Sequence, residues 1–119
     1  MPAQKDSLID RLARFKELKI TVTGRTSGRA ISIPVWFVWE APKLYLLPVQ
    51  GSDTQWYKNV LKNPAMQIDA RGAKAELHVA PVTAAQVPLI VEKFRERYGA
   101  GDVKKYYSKL DVAVVAEIR

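Results

Sequence analysis

Leu8, Ile9, Leu12, Phe15 and Leu18 recur at helical spacing among Asp10, Arg11, Arg14, Lys16 and Glu17, with Ser7 placed to cap them. Residues 7–18 therefore read as an N-terminal helix lying on an apolar surface. From Lys19 the period shortens. Ile20 and Val22 alternate with Thr21 and Thr23, residues 24–28 interrupt, and residues 30–39 alternate again, which predicts a long hairpin. In its second strand Ile31, Ile33, Val35, Phe37 and Trp39 share one face, and Ser32, Pro34, Trp36 and Val38 share the other. Apolar residues on both faces require cover on both. Pro34 has no N–H for a ladder, so it predicts an edge, a bulge or a break in pairing.

Residues 40–43 read as a turn and 44–49 as the next strand of a meander. The pairs Trp56/Val60 and Tyr57/Leu61 suit a short helix over 55–61, stopped by Asn63-Pro64. Residues 66–70 and 75–80 form a second hairpin about 71–74. Thr83-Ala84-Ala85-Gln86 resembles a capping box ahead of Val87, Val91, Phe94 and Tyr98, and Pro88 predicts a shifted or kinked start to that helix. Gly99-Ala100-Gly101 stops it, Asp102 caps one more turn reaching Tyr106 and Tyr107, and residues 112–118 make a closing strand. A meander with helices at intervals predicts one α+β domain over 1–119, mainly β with peripheral helices, and a small open or closed barrel rather than a doubly wound sheet.

Composition narrows the chemistry. A chain of 119 residues that is 48% hydrophobic can build one core. The absence of Cys excludes disulfides, thiolate nucleophiles and Cys-bound metals, and a single His leaves few ways to assemble a metal site, so none is expected. Lys and Arg exceed Asp and Glu by 19 to 12, a formal charge of +7 that favours anionic partners without naming them. No stretch nears the roughly eighteen apolar residues of a membrane span, and no secretory h-region follows the polar start. The expectation is a soluble, cytoplasmic protein without an integral membrane segment.

The turn Gly24-Arg25-Thr26-Ser27-Gly28, with Arg29 behind it, offers permissive glycines, two hydroxyls and two guanidiniums. It can aim amides and charged forks at phosphate oxygens, or be an ordinary exposed hairpin turn; it is neither a Walker A sequence nor a dinucleotide fingerprint. Trp56, Tyr57, Lys58 and Asn59 stand near a helix N-terminus that attracts negative charge, although Trp56 serves equally as a core anchor. Tyr106 and Tyr107 offer aromatic contact or a hydroxyl, or one packed and one exposed ring. His78 lacks His or Cys partners, the carboxylates are scattered, and there is no Gly-x-Ser-x-Gly elbow, so side-chain hydrolysis has no support. Basic residues alternate with acids, as in Glu92-Lys93 and Arg95-Glu96-Arg97, the pattern of a solvated helix, which makes nucleic-acid binding the minor reading.

Several segments in order resemble the deazaflavin-dependent nitroreductase family, within the split β-barrel group of flavin-binding and pyridoxamine-phosphate-oxidase-like proteins. They are Thr21-Val22-Thr23-Gly24-Arg25-Thr26-Ser27-Gly28, Ile33-Pro34-Val35-Trp36-Phe37-Val38, Lys43-Leu44-Tyr45-Leu46-Leu47, and Gly51 followed by Trp56-Tyr57-Lys58-Asn59-Val60 and Asn63-Pro64. The resemblance implies a split β-barrel and an F420-binding oxidoreductase passing a hydride between reduced deazaflavin and a quinone, nitro or activated-alkene acceptor, with FMN as the alternative cofactor. It implies that Gly24, Arg25, Thr26, Ser27 and Gly28 lie near the cofactor phosphate and that Pro34 and Trp36 line its ring. Leu47, Val49, Gln50 and Gly51 would form the second wall, Trp56 and Asn59 would close the site, and Tyr107, Tyr106 or Trp36 would be the proton-donating or charge-stabilising group. Thr26, Ile31 and Gln50 stand where family members commonly carry a second basic residue, an Arg and a Lys. That loss of charge leaves open FMN held by different contacts, loosely bound F420 or a changed ligand. A non-catalytic binding or structural barrel is the alternative of another class, and a homodimer is a further expectation.

Overall fold

The computed structural model describes residues 2–118. A helix, α1 (Pro2–Arg14), is followed by strands β1 (Glu17–Thr23), β2 (Ala30–Glu40) and β3 (Lys43–Leu46). A short 3-10 turn (Gly51–Asp53) leads into α2 (Gln55–Lys62) and strands β4 (Ala65–Ala70), β5 (Ala73–His78) and β6 (Ala80–Pro81). Helices α3 (Val87–Tyr98) and α4 (Ala100–Tyr106) and strand β7 (Val114–Glu117) complete the chain. The strands join in one antiparallel sheet of order β5-β4-β1-β2-β3-β7-β6, curled into the half-barrel of the split β-barrel, flavin-binding-like fold. Among the described residues, no helix is long and apolar enough to cross a membrane.

The long strand β2 carries the curl. Residues 30–36 pair with β1 and residues 37–40 pair with β3, so each half of β2 has one neighbour in the sheet. Pro34 lies in the first half, opposite Lys19, where the other edge of β2 is open. Its missing N–H is therefore tolerated, as an edge position allows. At the handover the next rung would join Lys16 to Phe37. The hydroxyl of Tyr98 stands there instead. It accepts from the Phe37 N–H at 3.1 Å and lies 2.6 Å from both the Phe37 and Lys16 carbonyl oxygens, donating to one of them at a time. Beside it Arg97 Nη2 donates to the Phe15 carbonyl at 2.6 Å. The α3 side chain is thus a wedge that holds β1 and β2 apart at the point where the sheet splits.

Two apolar clusters result. Inside the curl, Leu18, Ile20 and Val22 of β1 meet Met66 and Ile68 of β4, with Trp56 and Val60 of α2 and Leu8 and Leu12 of α1 packed on them. On the outer face Val38 and Leu47 pack under Val87, Ile90, Val91 and Phe94 of α3 and Val103 and Tyr107 at α4. The two-sided hydrophobicity of β2 is explained by this second layer.

Several boundaries differ from the sequence expectation. The first helix spans Pro2–Arg14, not 7–18, and Ser7 falls inside it. Leu18 belongs instead to the alternation of β1, because burying Leu18, Ile20 and Val22 together needs a period of two. The third strand ends at Leu46, short of 49, since Pro48 has no N–H to extend it. The expected strand 75–80 is two: β5 ends at His78, the Val79 N–H donates to the Pro64 carbonyl, and β6 pairs with β7. The closing strand occupies Val114–Glu117 rather than 112–118. The third helix begins at Val87, its start displaced past the Thr83–Gln86 contact as Pro88 implied. Gly99 alone breaks the helices, and Ala100 and Gly101 already belong to α4.

Candidate functional site

A cleft of about 260 Å³ opens on the outer face beside the wedge, lined by Glu17, Pro34, Val35, Trp36, Val49, Tyr106 and Tyr107. Each wall has a local cause. The period of β1 and β2 puts Glu17, Pro34 and Trp36 on one face, and Glu17 pairs directly with Trp36. The Trp36 indole lies flat on the Tyr98 ring, centroids 4.3 Å apart and planes within 5°, while Tyr106 meets it edge-on at 5.5 Å and Tyr107 tilts against it at 6.0 Å. One indole face is therefore fixed by the wedge residue.

A clamp brings the two tyrosines there. After α4 the Ser108 N–H donates to the Val49 carbonyl at 2.9 Å, and Lys109 bridges Gln50. Asp111 then accepts from the Ser52 N–H at 2.9 Å and the Ser52 hydroxyl at 2.6 Å, and Lys109 Nζ reaches Asp53 at 3.2 Å. The Ser52 hydroxyl, seconded by the Ser52 N–H and Lys109, holds the Asp111 carboxyl below its ordinary range despite the opposing cost of burial. A carboxyl lowered on folding adds stability above its unfolded pKa of about 3.9 and loses it as pH falls through the folded value. Melting curves of Asp111→Asn and the natural chain are thus expected to converge in acid and to separate above about pH 4, where only the natural chain carries the ionised clamp. Parallel curves from pH 3 to 7, measured by circular dichroism, would contradict this.

Burial, with a smaller contribution from Tyr98, pushes the Tyr107 phenol far above its usual value. Burial raises Tyr98 too, against the hydrogen bonds from Phe37 and Arg97. Both phenols are neutral at physiological pH, able to donate a hydrogen bond but not to act as bases. The Tyr107 hydroxyl has no protein partner among the described residues, whereas that of Tyr98 is consumed by the sheet.

The structure brings together Pro34, Trp36, Val49, Tyr106 and Tyr107. It does not bring the others to this cleft. Leu47 packs in the outer cluster, Gln50 donates its N–H to Thr54 Oγ1, and Gly51 is buried under the clamp. Trp56 is 4% exposed and joins the inner core. The 24–28 turn lies at the far end of the β1–β2 hairpin, six register steps from Trp36 or about 20 Å. There Arg25 is tied to α2: its N–H and Nη1 donate to Asn59 Oδ1 at 3.1 and 2.8 Å, Nη2 to Gln55 Oε1 at 2.9 Å, and its carbonyl accepts from Lys62 Nζ. Asn59, 3% exposed, satisfies that turn from within. Glu17, Val35 and Tyr98 were missed. Alternation in β1 was the available signal for Glu17, while nothing local announces the work of the Tyr98 hydroxyl.

A family model described as an uncharacterized protein conserved in bacteria (DUF2255) matches residues 8–116. The chain belongs to that family. The split β-barrel fold expected from the sequence resemblance is the fold this chain has. No curated protein matches the chain. Among solved structures, an F420-H2 dependent reductase (FDR-A) is 20% identical, with a TM-score of 0.67 over 86% of this chain and 94% of its own. HutZ, the heme storage protein of Vibrio cholerae, is 13% identical, with a TM-score of 0.70 over 96% and 89%. An F420 reductase is 19% identical, with a TM-score of 0.61 over 91% and 90%. At such identities the likeness establishes the fold of this DUF2255 chain.

Proposed function

We propose that this protein is an oxidoreductase that binds a flavin-type cofactor, F420 in the first instance and FMN as the alternative, with the ring of the cofactor in the cleft beside Trp36. The observation that carries the reading is the cleft itself: an apolar slot with one indole held flat by a stacked tyrosine, at the split of a flavin-binding-like half-barrel. Its volume of about 260 Å³ falls just under the roughly 300–1,000 Å³ of whole small-molecule sites, so it suits a planar head group whose tail continues outside. Pro34, Val35 and Val49 would give that ring dispersion contact, and Trp36 and Tyr106 would exclude water from its face. When bound, the reduced deazaflavin supplies a hydride to a quinone, nitro compound or activated alkene. Tyr107, neutral and without a protein partner among the described residues, is the first choice to donate a hydrogen bond to developing negative charge on the acceptor, ahead of Tyr106 and Trp36.

Titration with oxidised F420 and, in parallel, FMN, followed by quenching of tryptophan emission, tests the reading. Saturable micromolar binding is expected, with most of the quenching lost in Trp36→Phe while Trp39 and Trp56 remain. Failure of both ligands to bind well-folded protein would replace the reading with a non-catalytic barrel.

A further inference from the structure

The cleft does not end at Pro34. A second depression of about 280 Å³, lined by Glu17, Leu18, Lys19, Pro34, Asp69, Arg71 and Gly72, shares Glu17 and Pro34 with it, so the two form one groove across β2, β1 and β4. Register lays out its floor. Pro34 pairs with Lys19, which pairs with Asp69; one rung along, Trp36 pairs with Glu17, and Arg71 lies two residues beyond Asp69 in the same direction. Two strand spacings separate β4 from β2, about 10 Å, and Arg71 opens the turn at the Trp36 end of β4, whereas the 24–28 turn lies at the opposite end of the β1–β2 hairpin.

We infer that the Lys19 and Arg71 end of this groove holds the phosphate of a ligand whose planar ring stacks beside Trp36; this rests on the cofactor reading above. Neither cation has a carboxylate partner among the described residues. The Arg71 guanidinium lies over the Phe15 ring, 4.7 Å from its centroid, which fixes its plane and leaves its N–H edge for oxygen. The two carboxylates in the groove fit the same ligand. Asp69 Oδ1 accepts from the Gly72 N–H at 2.7 Å, closing the turn. Glu17 stands between the aromatic and cationic ends, where it would accept from hydroxyls of a ribityl-type linker. The order of chemistry along the groove is ring, hydroxylated linker, phosphate. At the 24–28 turn, by contrast, Arg25 already spends its guanidinium on Asn59 and Gln55.

The test compares ligands with and without the anionic tail: FMN against riboflavin, and F420 against its 8-hydroxy-5-deazariboflavin chromophore, each by tryptophan quenching. Arg71 has φ +56, a conformation that Asn also adopts, so Lys19→Gln with Arg71→Asn removes both charges while keeping the turn. The natural chain is expected to prefer the phosphorylated ligand of a pair about tenfold or more, and the double variant to lose that preference while retaining its affinity for the tail-less ligand. If Arg25→Ala abolishes the preference and the double variant keeps it, the phosphate lies at the turn and this inference is overturned, with the cofactor reading intact. Equal affinity within each pair for the natural chain overturns it as well. Failure of all four ligands removes both.

Discussion

Tyr98→Phe is expected to lower the unfolding free energy by about 2–3 kcal/mol, read from denaturant titration. The substitution keeps the ring that stacks on Trp36 and deletes only the hydroxyl. Phe37 N–H, on a residue that is fully buried, then loses its acceptor, and the carbonyls of Phe37 and Lys16 lose the proton they share. A buried amide left without a partner costs far more than one exposed hydrogen bond. A loss below about 0.5 kcal/mol would mean that water fills the gap and that the wedge is not what holds the split.

Gly51→Ala is expected to cost about 2–4 kcal/mol and to detach the clamp as well. Gly51 has φ +56, and a methyl group there would overlap Asp111 Oδ1 and sit 2.9 Å from the Lys109 carbonyl oxygen. The carbonyl is backbone and cannot swing aside. Because residues 108–111 carry Tyr106 and Tyr107 to Trp36, the variant should also lose quenching by cofactor in the titration described above. Gly28→Ala is the control. Its φ is +71, with nothing within 4 Å of the added carbon, so strain alone of about 1 kcal/mol is expected and binding is expected to persist. Equal losses in the two variants would show that backbone strain, not the clamp, sets the Gly51 effect.

The hairpins were legible because 20–23 and 66–70 alternate and 30–39 is a β-branched and aromatic run set off by a glycine-flanked turn, a pattern that fits strands. The end of the first helix was not, since Phe15 and Leu18 fit a helical repeat while Leu18 also fits the strand that follows. Pro48 carried the signal that shortens the third strand. The switch at Val79, where the chain leaves β4 for β7, has no local mark because it depends on which strands are already in place. Of the cleft residues, Pro34, Trp36 and Val49 were reached through the family resemblance, whereas Tyr106 and Tyr107 already stood out as adjacent aromatic hydroxyls ahead of the closing strand. Tyr98 was legible as an apolar helix position but not as a wedge, because its partners lie 61 and 82 residues away and enter no periodicity.

That separation also bears on time. The β1–β2 and β4–β5 hairpins pair residues close in sequence, so their loop-closure cost is small and they form early. The Tyr98 hydroxyl can bond Lys16 and Phe37 only after α3 has docked across both, so its hydrogen bonds are expected on the native side of the folding barrier, with a φ-value near zero for Tyr98→Phe. A contact made that late governs how fast the native state opens, not how fast it is reached. The wedge therefore acts as a latch on the lifetime of the folded chain, and a cell that lost it would make the protein at the same pace and keep each copy for less time.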